Sequence, residues 1–223
     1  MPKEFERWEV LVREQQRIGV RYRNLESNVL QTRVLVEDGL EPYRAESRVR
    51  LDVAADSWEL SWFRDRNMQS ARLMHREPQR FPTDSMPSFA DILMLQRAVG
   101  NPAKPVVYWR LNEAGLEAQD PVARRPEAPN ARIERVGPPE DLSIPLGTTL
   151  STRRYEARVE GLLLATHWVN EDDELVCTRW GTGLTAYRVP GVPSEAGWLS
   201  LSGLDEGTIA FMTHGFDDGR RPR

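Results

Sequence analysis

The stretch Tyr155–Val189 reads YEARVEGLLLATHWVNEDDELVCTRWGTGLTAYRV and indicates the fold class most directly. Two apolar-rich runs flank the polar segment Asn170–Glu174, and a break at Gly181–Gly183 leads into a third run. Long runs of this kind joined by short polar turns are typical of consecutive antiparallel strands in a meander. The part around Leu162–Trp168 is apolar on both faces of its strand, so it is expected to be covered on each side.

Earlier in the chain the same strand pattern recurs. The segment Tyr43–Val53 is the clearest example, because small or apolar residues alternate with charged ones along its length. Such alternation predicts an antiparallel strand with one face in the core and the other in water. Further strands are expected at Arg17–Arg23, Leu30–Val36, Trp58–Arg66, Ser70–Glu77, Pro105–Asn112 and Ala131–Gly137.

The two ends of the chain have less distinct patterns. Residues 3–16 carry an apolar stripe that fits a helix, although Trp8–Val10 could equally open a strand. Near the other end, the short runs Trp198–Leu201 and Thr208–Met212 predict edge strands. Residues 214–223 are expected to form a frayed tail.

One segment departs from the strand pattern and predicts a helix over residues 88–99. Ser88 is expected to cap its first turn, with Asp91 at the capping-box position. Gly100 ends the helix, and Pro102 prevents its continuation. Because apolar residues occupy much of its surface, the helix is expected to be largely buried against a sheet, with a cavity between the two.

The composition excludes several classes of protein. A net charge of −4, from 34 acidic and 30 basic residues, provides no basic surface for nucleic acid. A single cysteine, Cys177, excludes an intramolecular disulfide, and no apolar run reaches the ~20 residues of a membrane span. The N-terminal segment MPKEFERWEVLVREQQ has no apolar region of a signal peptide, which predicts a cytoplasmic protein, or a periplasmic one if a signal peptide was removed.

Catalytic and metal-binding motifs are sparse. The three histidines have no metal-ligand spacing, and no nucleophile elbow, phosphate-binding loop or dinucleotide fingerprint is present, so neither a metal nor a cofactor is expected. The acidic run Glu171–Glu174 lacks the ligand spacing of a calcium loop and is interpreted as a solvated turn. His167 is the weak candidate for an acid/base residue, and an ordinary part-buried histidine is the alternative.

Aromatic residues on predicted strands are the other candidate functional feature. Tryptophan and tyrosine fill cores, and they also line ligand cavities, so both interpretations stay open. The candidate ligand-binding residues are Trp58, Trp62, Trp109, Tyr155, Trp180 and Tyr187.

The order of the predicted elements over roughly residues 17–189 resembles the half-barrel family typified by bacterial periplasmic lipoprotein carriers. The segment RRYEARVEGLLLATHWVNEDDELVCTRW (Arg153–Trp180) also resembles the closing strands of uncharacterised bacterial proteins of this shape. The resemblance implies a curved antiparallel sheet whose concave side is closed by helices around an apolar cavity. Carriers have a signal peptide and more lid helix than this chain shows, so a role in lipoprotein transport does not follow.

The expected fold is therefore mainly β, with a single domain over residues 1–223. A single strongly curved antiparallel sheet, a half-barrel, is expected over 17–189, with one or two helices covering its concave face. A Pro-rich loop region is expected over residues 113–150.

Three functions remain open on this basis. The first is a soluble protein that binds an apolar or amphipathic small molecule or lipid in an aromatic-lined cavity. The second is a cofactor-independent enzyme that uses the same cavity, because the same fold hosts a cofactor-free enzyme of pigment biosynthesis. The third is a protein-interaction module that uses strand edges or the Pro-rich loop, although no protein partner can be named.

Overall fold

The computed structural model describes residues 2–37, 39, 41–54, 56–66, 71–113, 128–145, 148–189 and 204–216. The strands are β1 (Phe5–Arg13), β2 (Gln16–Glu26), β3 (Val29–Val36), β4 (Tyr43–Leu51), β5 (Trp58–Asp65), β6 (Arg72–His75), β7 (Ser85–Pro87), β8 (Val106–Leu111), β9 (Ala131–Arg135), β10 (Glu140–Ile144), β11 (Thr148–Val159), β12 (Leu162–Val169), β13 (Leu175–Trp180) and β14 (Thr185–Val189). The helices are α1 (Asp91–Gly100), which follows a 3-10 turn at Ser88–Ala90, and α2 (Glu206–His214).

The described strands form one large sheet, so the fold is mainly β as expected. Their order is β6-β5-β4-β3-β2-β1-β14-β13-β12-β11-β9-β8-β7, and β10 pairs with the first part of β11. Among the described strands, every pair is antiparallel except β7 with β8. The chain therefore runs as a meander from β1 to β6, passes through α1, and returns by a second series of strands until β14 pairs with β1.

The meander expected at 155–189 is confirmed as β11 to β14. Its first hairpin turns at Glu160–Gly161, where both residues have positive φ angles of 50° and 80°. The hairpins at Glu14–Gln15 and Ser27–Asn28 have the same property. Two successive positive φ angles match the twist of the flanking strands, which explains why two residues suffice to join them.

Two expectations about the chain ends are resolved by the structure. Residues 5–13 form a strand, β1, in which Trp8 pairs with Tyr22 on one side and Val189 on the other, so the sheet begins before residue 17. The expectation of a strand at Thr208–Met212 is wrong, because these residues lie within α2. Trp198–Leu201 and residues 114–127 of the Pro-rich region lie outside the described residues.

The two helices lie on opposite faces of the sheet. Phe211 and Met212 of α2 pack with Val10 and Leu35, whereas the neighbouring residue Leu11 faces α1. Successive residues of a strand point to opposite faces, so these contacts place the helices on different sides. We call the two sides the α1 face and the α2 face. Of the two helices in the described part of the chain, α1 alone lies on the α1 face.

The end of α2 is fixed to the sheet by buried charges. Arg33 donates hydrogen bonds to the carbonyl oxygens of Met212 (2.8 Å) and Thr213 (3.0 Å). The Glu46 carboxylate accepts a hydrogen bond from Arg33 (3.4 Å) and another from the backbone N–H of Phe216 (2.9 Å). Gly215, between Thr213 and Phe216, has a φ of 72°. A Cβ there would collide with the Glu46 carboxylate, so this position requires glycine.

Candidate functional site

A cavity of about 250 Å³ lies between α1 with its preceding 3-10 turn and the α1 face of the sheet. Ile92 and Leu95 contribute the helix side of its wall. Leu11, Val34 and Leu164 contribute part of the sheet side, from strands β1, β3 and β12. Much of the wall is therefore aliphatic, which suits the apolar part of a small ligand.

The sheet wall of this cavity also carries a buried ionic cluster. Glu9 on β1 is 1 % exposed and lies directly opposite Arg21 on β2 in the antiparallel register. Arg21 Nε lies 2.7 Å from Glu9 Oε2, and Arg23 Nη2 lies 2.7 Å from both carboxylate oxygens. Burial alone would raise the pKa of Glu9, but the two guanidinium groups hold it far below its ordinary value, so the carboxylate stays ionised.

Both arginines of the cluster keep hydrogen-bond donors that Glu9 does not use. Arg21 Nη2 and Arg23 Nε are buried, and neither makes a hydrogen bond within the described part of the chain. Arg23 is only 6 % exposed, and burial lowers its pKa to about 9. The Arg21 guanidinium lies over the Trp180 ring, 4.9 Å from its centroid, and this contact orients the arginine at the cavity.

A second ionic pair lies on the helix side of the cavity. Arg110 Nε lies 2.6 Å from Asp91 Oδ2, and the Tyr108 hydroxyl donates to Asp91 Oδ1 at 3.0 Å. Burial raises the pKa of Asp91, and the Arg110 guanidinium opposes this rise. The expected capping box is wrong, because the 3-10 turn intervenes between Ser88 and α1, and the Asp91 carboxylate is bound by charged and phenolic partners instead.

His167 also lines the cavity, as a half-buried side chain on β12. Its Nδ1 lies 3.0 Å from the hydroxyl oxygen of Thr178 on β13. Burial lowers the pKa of His167 to about 3, with further contributions from Arg23 and Arg21. The imidazole is therefore uncharged at neutral pH and provides a polar group without adding charge to the wall.

The structure does not bring the six candidate aromatic residues together. Trp180 lines the cavity. Trp58 and Tyr155 are fully buried in the core beneath α1, and Tyr187 packs among residues of the α2 face. The two remaining candidates, which are largely buried elsewhere, are Trp62 and Trp109.

His167 was named from the sequence, but the arginines of the cavity were missed. Arg21 and Arg23 alternate with Val20 and Tyr22 along β2, and the charged side of such a pattern is ordinarily taken as the wet side. Here the arginine side faces α1, and Val20 faces α2. The one available signal was the presence of Glu9, an acidic residue in an otherwise apolar stretch of the neighbouring segment.

A second cavity, of about 630 Å³, adjoins the first. The two share Ile92, Leu95 and Leu175 as lining residues. The second cavity is bounded by the start of the chain and the β12–β13 turn, and its lining includes Arg7. The Nε and Nη1 atoms of Arg7 are buried and make no hydrogen bond among the described residues, so unused guanidinium donors occur along the α1 face beyond the first cavity.

Other kinds of site find no support in the described ranges of the chain. Within them, no group of three or more histidine, cysteine, aspartate or glutamate side chains is arranged to hold a metal ion. No described helix has the length and apolar character needed to cross a membrane. Burial raises the pKa of the Cys177 thiol to about 12, which keeps it protonated and unreactive.

Comparison with known proteins gives no relative for this chain. No family model, curated protein or solved structure matches it.

Proposed function

We propose that this protein binds a small apolar or amphipathic molecule in the cavity beneath α1. The observation that carries the proposal is the combination of an aliphatic wall with a few fixed polar groups in one cavity. Small-molecule sites have this composition, in which apolar surface supplies affinity and convergent polar groups fix orientation. The aromatic contribution to this site is Trp180, with Phe89 from the 3-10 turn.

The proposal includes a strongly curved, half-barrel sheet wrapped around α1, as in the carrier family that the sequence resembles. Contacts between distant parts of the strand order support it. Trp58 Nε1 on β5 donates to Ser85 Oγ on β7 at 3.1 Å, and Ser57 Oγ donates to the carbonyl oxygen of Thr83 at 2.7 Å. Since β5 and β7 lie near opposite ends of that order, a sheet that curves around the helix accounts for these contacts.

The cofactor-independent enzyme receives less support from the same cavity. A histidine with a pKa of about 3 is a weak proton acceptor at neutral pH, where general bases work best with a pKa near the operating pH. The interaction module also stays a prediction, since residues 114–127 of its Pro-rich loop lie outside the described residues.

Two neighbouring leucines on β12 provide a matched test. Leu164 lines the cavity, whereas Leu163 is 44 % exposed and does not. Isothermal titration calorimetry with 1-octanol and sodium octanoate should detect one bound molecule of at least one of them. Leu164→Trp fills part of the cavity and should weaken that binding by about tenfold or more, because overfilling a packed site costs ~1–3 kcal/mol.

Leu163→Trp is the control and should leave binding unchanged, because its side chain enlarges towards solvent. Circular dichroism should show that both variants keep the strand content of the parent protein. Failure of both compounds to bind, or equal binding by the two tryptophan variants, would contradict the proposed function.

A further inference from the structure

We infer that the cavity is selective for anionic amphiphiles and that Arg21 and Arg23 bind the carboxylate of such a ligand. This inference rests on the proposed function and specifies the chemistry of its ligand.

The geometric basis is a pair of guanidinium groups that is only partly used. Glu9 accepts from Arg21 Nε and from Arg23 Nη2, which leaves Arg21 Nη2 and Arg23 Nε as buried donors without a hydrogen bond among the described residues. Buried polar groups in proteins are nearly always hydrogen-bonded, because an unmet donor loses its interactions with water. An oxygen-bearing ligand in the adjoining cavity would satisfy both donors.

The charges around the cavity select the sign and size of the ligand's charge. Three guanidinium groups line it, those of Arg21, Arg23 and Arg110. They face two carboxylates, Asp91 in the lining and Glu9 beside it, while His167 is uncharged. One positive charge is left over among these five groups, and Arg7 and Glu113, which also interact with Glu9 and Arg110, offset each other. A monoanionic carboxylate would balance the remaining charge. Guanidinium groups recognise carboxylates through short, charge-assisted hydrogen bonds.

The apolar wall determines the rest of the ligand. Ile92 and Leu95 of α1 face Leu11 and Val34 across the cavity, so a hydrocarbon part would be covered on both sides. The volume of about 250 Å³ lies just below the range typical of drug-sized ligands, ~300–1,000 Å³. A short-chain carboxylate therefore fits this space better than a whole diacyl lipid.

The experiment compares three compounds with the full chain by isothermal titration calorimetry. Sodium octanoate carries the carboxylate and the chain, 1-octanol carries the chain alone, and sodium acetate carries the carboxylate alone. Octanoate should bind about tenfold or more tightly than 1-octanol, because hydrogen bonds to charged groups are the stronger class. Acetate should bind more weakly than octanoate, because it lacks the apolar part.

Three variants test the assigned residues. Arg21→Gln and Arg23→Gln should each weaken octanoate binding by about tenfold while leaving 1-octanol binding unchanged. Glu9→Gln should strengthen octanoate binding, because it removes a carboxylate that competes with the ligand for the two guanidinium groups. If these residues only stabilised the fold, all three substitutions would change the affinity for octanoate in the same direction. The control Arg50→Gln removes a positive charge from an exposed ion pair with Glu59 and should change neither affinity.

The outcomes separate the two proposals. Equal affinity for octanoate and 1-octanol would overturn the anion selectivity and leave the apolar cavity standing. Acetate binding as tight as octanoate binding would show a site for free small anions and would overturn the inference that the ligand is an amphiphile. Failure of octanoate and 1-octanol alike would contradict the proposed function itself. If Arg23→Gln does not fold, Arg21→Gln and Glu9→Gln still give the two opposite shifts that decide the inference.

Discussion

Glu113 is a buried carboxylate held by neutral donors. It is 1 % exposed, and Oε1 accepts hydrogen bonds from the hydroxyls of Ser47 (2.9 Å) and Ser61 (2.8 Å). Oε2 accepts from the backbone N–H of Phe89 at 2.8 Å. Burial raises the pKa of Glu113, although these hydrogen bonds oppose the rise. The ionised form is therefore stabilised less in the folded protein than in water.

Glu113→Gln should remove a pH-dependent cost of folding. Because the folded-state pKa of Glu113 lies above its unfolded-state value, its contribution to stability is complete at low pH and is lost as the pH rises through the raised pKa. Glutamine can keep the network, since its oxygen can face the Phe89 N–H while its amide donates to the serine hydroxyls. The free energy of unfolding of the variant minus that of the parent should thus be more positive at about pH 8 than at about pH 4.

Urea unfolding of the parent and the variant at the two pH values measures this difference. All other titrating groups are common to both proteins, so their contributions largely cancel in the comparison. Glu59→Gln, at a carboxylate with a 43 % exposed side chain, is the control and should show a much smaller dependence. A stability difference between parent and Glu113→Gln that does not change with pH would contradict the assignment.

At the scale of elements, the strands were the most predictable part of the fold. The segment that became β4 alternates over many residues, so its period of two is unambiguous, and those that became β11 to β14 were recognisable as apolar-rich runs joined by short polar turns. The short run at Thr208–Met212 has too few residues to separate a period of two from one of 3.6. The informative signal was Asp205, whose side chain accepts a hydrogen bond from the backbone N–H of Thr208 at 2.9 Å and caps α2.

The turns were harder to predict than the strands. Glu14–Gln15 and Ser27–Asn28 adopt positive φ angles without glycine. Glycine, asparagine and aspartate are the residue types that usually predict such hairpins, so the turn at Glu14–Gln15 could not be predicted from its residues. The register of β1 and β2 is fixed instead by the pairing of their long strands, which the turn residues accommodate.

Phe211→Ala tests whether α2 stabilises the sheet from the α2 face. Phe211 is 5 % exposed, packs within the cluster around Val10 and Leu35, and lies 5.0 Å from the Phe216 ring centroid. Truncation of a buried phenylalanine costs ~3–5 kcal/mol, so the free energy of unfolding measured in urea should fall by about that amount. Ile209 on the same helix is 48 % exposed, and Ile209→Ala should change stability by no more than ~0.5 kcal/mol.

Similar losses for Phe211→Ala and Ile209→Ala would contradict the docking of α2 on this face. Octanoate binding offers a second measurement, because α2 lies across the sheet from the cavity. Folded Phe211→Ala protein should bind octanoate with the affinity of the parent.

At the scale of the whole molecule, the sequence indicated which residues share a face but not which face is enclosed. The alternation along β2 separates Arg21 and Arg23 from Val20 correctly. Deciding that the arginine side faces α1 requires the order of the strands and the position of the helix, and no local pattern encodes these. The expectation that both faces are covered around Leu162–Trp168 is wrong at one end, since Leu162 is 76 % exposed beside the first turn of the meander.

Contacts between distant strands are the least predictable feature, and they suggest the last prediction. Trp58 is fully buried, and its Nε1 donates to Ser85 Oγ, which in turn donates to the carbonyl oxygen of Pro82 at 2.6 Å. Arg76 Nε also donates to the Trp58 carbonyl oxygen at 2.8 Å. The bond between Trp58 and Ser85 connects β5 to β7, although eleven steps of the strand order separate these two strands.

A double-mutant cycle of Trp58→Phe and Ser85→Ala measures whether this connection exists in solution. Each change removes one partner of the same hydrogen bond, so the second change should cost less when the first is already present. The coupling in the free energy of unfolding should be about 0.5–1.5 kcal/mol, the range for one intramolecular hydrogen bond. Trp58→Phe combined with Ser151→Ala, at an exposed residue of β11, is the control and should show additive effects. Additive behaviour of the Trp58 and Ser85 changes would mean that β5 and β7 do not meet, and the curved sheet around α1 would lose its main support.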